Sequence, residues 1–361
     1  MMNCDLSEIV TESVMKNASQ PALKHRDSKE SDPVVISIDP ARRDTACALE
    51  ELAHTSDELT GLSGSEVLHT SDGFHAVVSG IHRVAAAARA CAAAGLRRED
   101  MDPKLTKLRD ECAKSPFTRH IMQWPRGYPG DFAIVDYICA QENRAPPGTI
   151  AYWIEEYSLG TTMAQQHRNK VQRQASEIVS CAEAAFNRNS EAVIAVLACG
   201  SSPDLVQVQH LVSSFNAKFV LSDSDTDALK VSLNRLPSLA GRIETISGNV
   251  VRSLQKLARR APYDLVLAGG LFDYIPDPIA ELLVRNVIGM LRPGGRFFFT
   301  NIAPNSPYED WIALVCNWSL ISRDEADLRT LVARASGHSL EVRAERDLTR
   351  LAVLVTVFSA H

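Results

Sequence analysis

VIAVLACGSSPDLVQVQHLVSSFNAKFVLSDSD, residues 193–225, is the stretch on which the reading of the whole chain turns. An apolar run from Val193 to Leu197 stops at Cys199-Gly200-Ser201-Ser202. A helical interval follows, and a second apolar run, Phe219 to Leu221, ends on Asp223. That is a strand, a small-residue turn, a helix and a second strand closed by a carboxylate. In a right-handed βαβ unit such a turn lets backbone approach a ligand closely, and an acid at the end of the second strand can accept both hydroxyls of a ribose. The stretch is therefore either a nucleoside pocket or simply a tight turn after a strand. It is not the dinucleotide fingerprint, because Ala198, Gly200 and Ser202 hold the three small positions, Pro203 follows at once, and no Lys or Arg stands nearby to neutralise phosphate. A ligand with a ribose and no phosphates fits it better.

From Ala192 onward, strands alternate with helices. The runs Val193 to Ala198, Lys218 to Asp223, Ile243 to Gly248, Tyr263 to Ala268 and Arg296 to Asn301 are separated by intervals long enough for crossover helices. A parallel sheet covered on both faces follows. The last two runs, His338 to Ala344 and Leu351 to Ser359, are joined only by the polar residues Glu345 to Arg350 and form a hairpin. One antiparallel strand is thus expected at the end of an otherwise parallel sheet.

Upstream the pattern is helical. Residues 1 to about 45 read as a polar arm, with a short strand or partner contact available at Val34 to Ile38. Helices are expected from about Thr45 to Leu96, clearest at 75–95 where Gly95 is a natural stop, then from about Pro103 to Met122, and as one long helix over 162–187. His75 and His82 share a helical face, either as a ligand pair or as packing residues. Gln123-Trp124-Pro125-Arg126-Gly127-Tyr128-Pro129-Gly130-Asp131-Phe132 cannot be regular structure. A loop this stiff and aromatic is a structural clamp or a pocket wall, and its rings and carboxylate suit a buried sulfonium or ammonium. The organisation expected is an arm (1–45), a helical lid and substrate-binding domain (46–187), and a catalytic α/β domain (188–361).

Composition sets the outer bounds. With 361 residues, 45% of them hydrophobic and 23% charged, the chain can bury a sizeable core. A net charge of -6 without a long basic run gives nucleic acid no purchase. No apolar stretch reaches the ~20 residues needed to span a bilayer, and the acidic N-terminus is unlike a signal peptide, so a cytoplasmic protein without membrane insertion is expected. The eight cysteines include no Cys-x-x-Cys pair, which argues against a zinc site and a disulfide framework. The polar arm and helical half would suit a homodimer.

Taken together, this pattern resembles the class I S-adenosylmethionine-dependent methyltransferases. Leu291-Arg292-Pro293-Gly294-Gly295 before Arg296-Phe297-Phe298-Phe299 is similar to the family's turn into its fifth strand, and Tyr263-Asp264-Leu265-Val266 to its fourth. A narrower resemblance spans most of residues 120–335. Arg126 to Phe132, His167-Arg168-Asn169, Leu197 to Gly200, Gly270-Leu271-Phe272-Asp273-Tyr274 and Trp318 with Ser322-Arg323 resemble bacterial 3-hydroxypalmitic acid methyl ester synthases, which methylate a fatty acid carboxyl group. The resemblance implies an α/β, Rossmann-like seven-stranded sheet of six parallel strands and one antiparallel, with a mainly helical N-terminal domain. It also implies S-adenosylmethionine as cofactor and a small-molecule acceptor.

Carried over residue by residue, Gly200 passes the methionine moiety, Asp223 holds the ribose, Asn249 faces the adenine, and Gly270 to Phe272 lie beside the methyl group. Ala198, Ser224, Val250 and Leu271 flank these positions. Apart from the resemblance, the basic residues His167, Arg168, Lys170 and Arg173 near the start of the 162–187 helix read as solvated charges, or one of them, Arg168 by its bidentate fork, reaches a carboxylate at the domain junction. Val196, Ser202 and Asn249 depart from the family pattern, which keeps a non-catalytic sensor or partner subunit open. Methyl transfer to a carboxylate or thioether needs no base, whereas a hydroxyl or amine needs one. Asp131 and Asp273 are the candidates, with Tyr128 and Tyr274 beside them. A long acyl chain would need an apolar tunnel, and an amino acid would need a polar pocket. Arg126, Tyr137 and Tyr152 could line the latter, while Phe272 and Trp318 complete the expected acceptor contacts.

Overall fold

Ala192–Leu197 (β1), Ala217–Asp223 (β2), Ile243–Ser247 (β3), Tyr263–Ala268 (β4), Leu291–Ile302 (β5), Val342–Arg346 (β6) and Ala352–Phe358 (β7) form one sheet in the order β3-β2-β1-β4-β5-β7-β6. The computed structural model describes residues 40–337 and 339–359. β1 pairs in parallel with β2 and β4, β2 with β3, and β4 with β5. β7 is antiparallel to both β5 and β6, so six strands run one way and one runs the other.

The antiparallel strand does not take the edge expected for it. β7 (AVLVTVF) is buried along almost its whole length and lies inside the sheet, whereas β6 (VRAER) alternates half-buried and exposed positions and takes the edge. A strand apolar on both faces belongs where both faces are covered. A second difference lies at Leu291 to Gly295, expected as a turn before β5. The residues are already within the strand, and the register against β4 slips between Tyr263 and Leu265. The extra residues are absorbed as a bulge, with Gly294 supplying a positive φ of 74°.

Helices before β1 span Pro40–Thr60, Asp72–Ala93, Arg98–Cys112, Pro116–Gln123, Phe132–Ala140, Ile150–Gly160 and Thr162–Asn187. The arm expected over residues 1–45 and the Val34 to Ile38 strand lie largely outside the described residues, but helix begins at Pro40 rather than Thr45. The described residues from Ala41 onward make one compact unit.

The 26-residue helix Thr162–Asn187 explains why the two halves cohere. Thr161 caps it by accepting the Ala164 N–H at 3.2 Å. Its first turn buries Ala164 in the helical core, together with Leu105, Leu108 and Ile154. Its last turns bury Ile178, Cys181, Ala182 and Ala185 against β1 and β2 side chains such as Ile194 and Phe219. The helical core also borrows Trp311, Val315, Cys316 and Trp318 from the segment after β5. A boundary at residue 187 in sequence therefore does not separate the cores in space. Among the described residues no helix is long and apolar enough to cross a membrane, and no His, Cys, Asp or Glu cluster could hold a metal ion. His82 bonds the Tyr157 hydroxyl at 2.8 Å.

Candidate active site

In this strand order the chain reverses direction of travel between β1 and β4, and a doubly wound sheet opens a crevice outside the carboxyl ends of the strands at that point. The turn after β1 is built from alternate positive-φ residues, Ala198 (48°), Gly200 (55°) and Ser202 (51°). Holding two non-glycine residues there costs on the order of 1–3 kcal/mol each, so the surrounding bonds must impose the conformation. They do so from three sides. The Cys199 N–H donates to Ser222 O at 3.1 Å, the Gly200 N–H to Asp223 Oδ2 at 2.8 Å, and Ser232 Oγ to Gly200 O at 2.8 Å. A Cβ on Gly200 would sit 3.1 Å from that of Phe132, which leaves no slack for a side chain. Cys199 is buried, and burial pushes its thiol far above the usual range, which removes it as a nucleophile.

Asp223 is 8% exposed, and its Oδ1 accepts the Asp225 N–H at 2.9 Å. Burial raises its pKa above the usual carboxylate value, with the two amide bonds opposing. Each oxygen keeps a lone pair for a further donor. Ser224 is exposed beside it. Asn249 caps Val250–Ala258 through the Val251 N–H at 2.9 Å, and the Gly248 N–H donates to Asp223 O at 2.9 Å, fastening the half-buried Val250 region to the end of β2.

The aromatic loop closes over these strand ends. Trp124, Gly127 and Gly130 have positive φ, which turns the chain twice within seven residues. The Arg126 fork pairs with Asp225, through Nε–Oδ2 and Nη2–Oδ1 at 2.8 Å, and reaches Asp227 at 3.0 Å. Its guanidinium lies 4.8 Å from the centroid of Phe132. Arg126 holds the Asp225 carboxyl down at about 2. The Tyr128 hydroxyl donates to Asp225 Oδ2 at 3.3 Å, and desolvation with the adjacent carboxylates raises the phenol. Arg126, expected at the acceptor, thus belongs to the β2 end. Asp131 is 1% exposed; it caps Phe132–Ala140 through the Ala133 N–H at 2.9 Å and meets His120 Nε2 at 2.8 Å.

Beyond β4, Gly269 packs so closely on Gln174 that a Cβ would overlap the amide, while a Cβ on Gly270 would meet nothing within 4 Å. Leu271–Asp273 is a single 3-10 turn. Phe272, expected against the acceptor, is instead fully buried and stacked on Phe299 with centroids 4.2 Å apart. Asp273, expected as a base, accepts Lys170 Nζ at 2.9 Å and the Ile302 N–H at 2.5 Å, with both charged side chains almost wholly buried. The Tyr274 hydroxyl accepts the Trp318 indole N–H at 2.9 Å, and a Cβ on Gly130 would overlap that hydroxyl. Burial, with Asp273 next, raises the Tyr274 phenol strongly.

Three other expected positions take different partners. Arg168 donates to the carbonyls of Ile138 (3.3 Å) and Leu159 (3.1 Å) and to Gln165, so it ties helices together. Tyr137 donates to Glu155 at 2.5 Å, and Tyr152 stands edge-on to Trp153 with centroids 4.9 Å apart. The sequence reading passed over His120, Asp225, Lys170 and Gln174. Only Asp225 had a local signal, as the cap of Thr226–Arg235 two residues past Asp223. Lys170 is one of several basic residues near the start of helix 162–187 with no local sign of burial, and His120, inside helix 116–123, meets its acid only across the irregular loop that follows.

No family model and no curated protein matches this sequence. Among solved structures, the chain is similar to a possible exported protein from Bordetella parapertussis, at 16% identity and TM-score 0.52, over 89% of this chain and 97% of that one. It is also similar to magnesium protoporphyrin IX methyltransferase from Synechocystis PCC 6803 with SAH bound, at 12% identity and TM-score 0.41, over 55% and 88%. A third similarity is to an S-adenosylmethionine-dependent methyltransferase from Clostridium acetobutylicum, at 11% identity and TM-score 0.37, over 52% and 92%. S-adenosylmethionine-dependent methyltransferases are thus among its structural neighbours. The Bordetella likeness extends over the helical half as well as the sheet, and it is a likeness of fold.

Proposed function

We propose that the protein is an S-adenosylmethionine-dependent methyltransferase acting on a small-molecule acceptor. The observation that carries this reading is the Gly200 amide fixed on Asp223 across the ends of β1 and β2, at the point where the sheet reverses. The residues fit the cofactor: Asp223 keeps lone pairs for ribose hydroxyls, and the turn presents backbone without a cation. The guanidiniums around the turn, Arg126 and Arg235, are already paired with carboxylates, as suits a ligand without phosphates. Gly270 leaves open space beyond β4, where the methyl group would lie.

When bound, S-adenosylmethionine supplies a methyl carbon already activated toward displacement. The chain's task is then alignment and exclusion of water. Arg126 and Tyr128 hold the loop over the strand ends, and Lys170 with Asp273 fixes the β4 turn against the long helix. If the acceptor is a hydroxyl or amine, the His120–Asp131 pair is a second candidate to hold its proton beside Asp273, whose carboxylate is engaged by an ammonium and an amide.

The narrower reading is methylation of a fatty acid carboxyl group, and the alternative is methylation of an amino acid. The side chains that would clamp an amino acid have other partners, since Arg126 holds Asp225 and Arg168 holds two carbonyls. That favours an apolar acceptor. Calorimetric titration with S-adenosylmethionine, then SAH release with hydroxy fatty acids, amino acids and phenols, tests the reading. Micromolar binding with turnover on one apolar class is expected. Absence of binding would overturn the cofactor assignment, and turnover on amino acids alone would overturn the acceptor class.

A further inference from the structure

A cavity of about 50 Å³ lies in the helical half, walled by Phe117, Tyr157, His167, Tyr308, Trp311 and Trp318, with aliphatic side chains between them. It is assembled from helices Pro116–Gln123 and Ile150–Gly160, the start of Thr162–Asn187 and the segment after β5. A single water needs roughly 10–15 Å³ of such space, so this one admits several non-hydrogen atoms. It adjoins the candidate site through Trp318, which lines it and donates to the Tyr274 hydroxyl at 2.9 Å. Tyr274 in turn follows directly on the turn after β4.

The lining is mainly apolar; the Tyr157, Thr161 and Tyr308 hydroxyls that also line it have partners in the protein, and one nitrogen does not. His167 stacks on Trp318, with centroids 5.8 Å apart and planes 14° from parallel, and its Nε2 is buried without a hydrogen-bond partner. On the preceding residue, Gln166 is wholly buried and its Oε1 is likewise unpartnered, while its amide nitrogen reaches only the sulfur of Met163, another lining residue, at 3.9 Å. A buried polar atom without a hydrogen-bond partner costs about 1–3 kcal/mol. Of the two residues only His167 lines the cavity, and a ligand carrying a hydroxyl there would give its ring nitrogen a partner. Burial, with the charges of Lys170 and Arg168, holds the His167 pKa well below its usual value, so the ring stays neutral and can accept.

From this geometry we infer that the cavity receives the apolar end of the methyl acceptor and that His167 Nε2 accepts a hydrogen bond from a hydroxyl carried there. The inference rests on the methyltransferase reading for the word acceptor, but the cavity can be tested without cofactor. The shared ligand chemistry is an apolar body with a hydroxyl, aryl or alkyl. His167 is then a specificity residue that separates hydroxylated from plain hydrocarbon ends.

The test uses the full chain and two pairs of probes of equal heavy-atom number, phenol with toluene and 1-hexanol with methyl pentyl ether. Binding of each is followed by saturation-transfer NMR in the wild type, His167→Phe and His167→Gln. For the favoured pair, the ratio of hydroxyl-bearing to donor-free affinity is expected to fall about two- to tenfold in His167→Phe, as one hydrogen bond predicts, and to recover in part in His167→Gln. Which pair responds tells aryl from alkyl. In the wild type the ¹⁵N resonance of His167 Nε2 should shift with the alcohol and not with its partner, a readout that needs no variant to fold beyond assigning the peak. An unchanged ratio in both pairs, or an Nε2 resonance indifferent to the hydroxyl, overturns the inference. Titration of the same wild-type sample with SAH reads the cofactor site separately, so its failure would count against the methyltransferase reading and leave the cavity result standing.

Discussion

The end of β1 and β2 and the cavity in the helical half solve the problem of holding a ligand in opposite ways. At the strand ends the work is done by backbone. Three alternate residues are held at positive φ, the Gly200 and Asp225 amides are fixed on Asp223, and the Gly200 carbonyl accepts Ser232 Oγ. In the cavity the walls are side chains from four separate segments, and the one imidazole among them has a ring nitrogen with no partner. The difference teaches where specificity resides. A strand-end site is rigid and accepts one kind of ligand, whereas a side-chain cavity can change its occupant by exchanging a ring or an imidazole without touching the sheet.

Beside the Trp318–Tyr274 contact, the buried Lys170–Asp273 pair ties the long helix to the turn after β4, and breaking it should have the largest effect. Lys170→Met leaves Asp273 buried without its ammonium, and a loss of about 3–5 kcal/mol in urea denaturation is expected. A loss under about 1 kcal/mol would mean that the halves do not depend on this pair. Next, Asp223→Ala should weaken S-adenosylmethionine binding by ~2–4 kcal/mol, while phenol and hexanol binding in the cavity stays unchanged. The variant also orphans the Gly200 and Asp225 amides, so some loss of stability accompanies it. Equal losses at both sites would show that the two regions are one.

The strand-end region should also be the pH-sensitive one. Asp204, in the first turn of Pro203–Val212, is 3% exposed, and burial pushes its carboxyl up to about 6. Between the unfolded value near 4 and about 6, the folded state binds the extra proton, so stability from this group is full below pH ~4 and is lost as pH rises through 6. The fall is on the order of 2–3 kcal/mol, and Asp204→Asn should abolish it in denaturation curves taken at pH 4.5 and 7.5. The smallest effect is expected at the loop. Arg126→Ala removes a quarter-exposed fork from Asp225, costing about 1 kcal/mol or less in stability and raising the rate of SAH release. Since the pair is partly solvated, high salt should shrink the difference between wild type and variant. A salt-independent difference would place the fork in a dry site.

What could be read from the sequence follows the same division. Strand positions, the long helix over 162–187 and the turn after β1 are written in local periodicity and small residues, because hydrogen-bonding patterns repeat over a few neighbours. The edge was misjudged because register with a distant partner decides whether β6 or β7 lies inside, and only the burial of β7 on both faces settles it. The roles of charged residues were harder still. Asp273, Arg168 and Arg126 looked available in sequence, and each has a partner brought from elsewhere: Lys170 from 103 residues away, carbonyls from helices 132–140 and 150–160, and Asp225 from 99 residues away. The sequence by itself determined the βαβ unit, its carboxylate and the succession of strands and helices along the chain, since these rest on contiguous residues. Only the tertiary structure decided which carboxylates remain open to a ligand and where an unpartnered imidazole faces a cavity, because burial and pairing are properties of segments that meet in space.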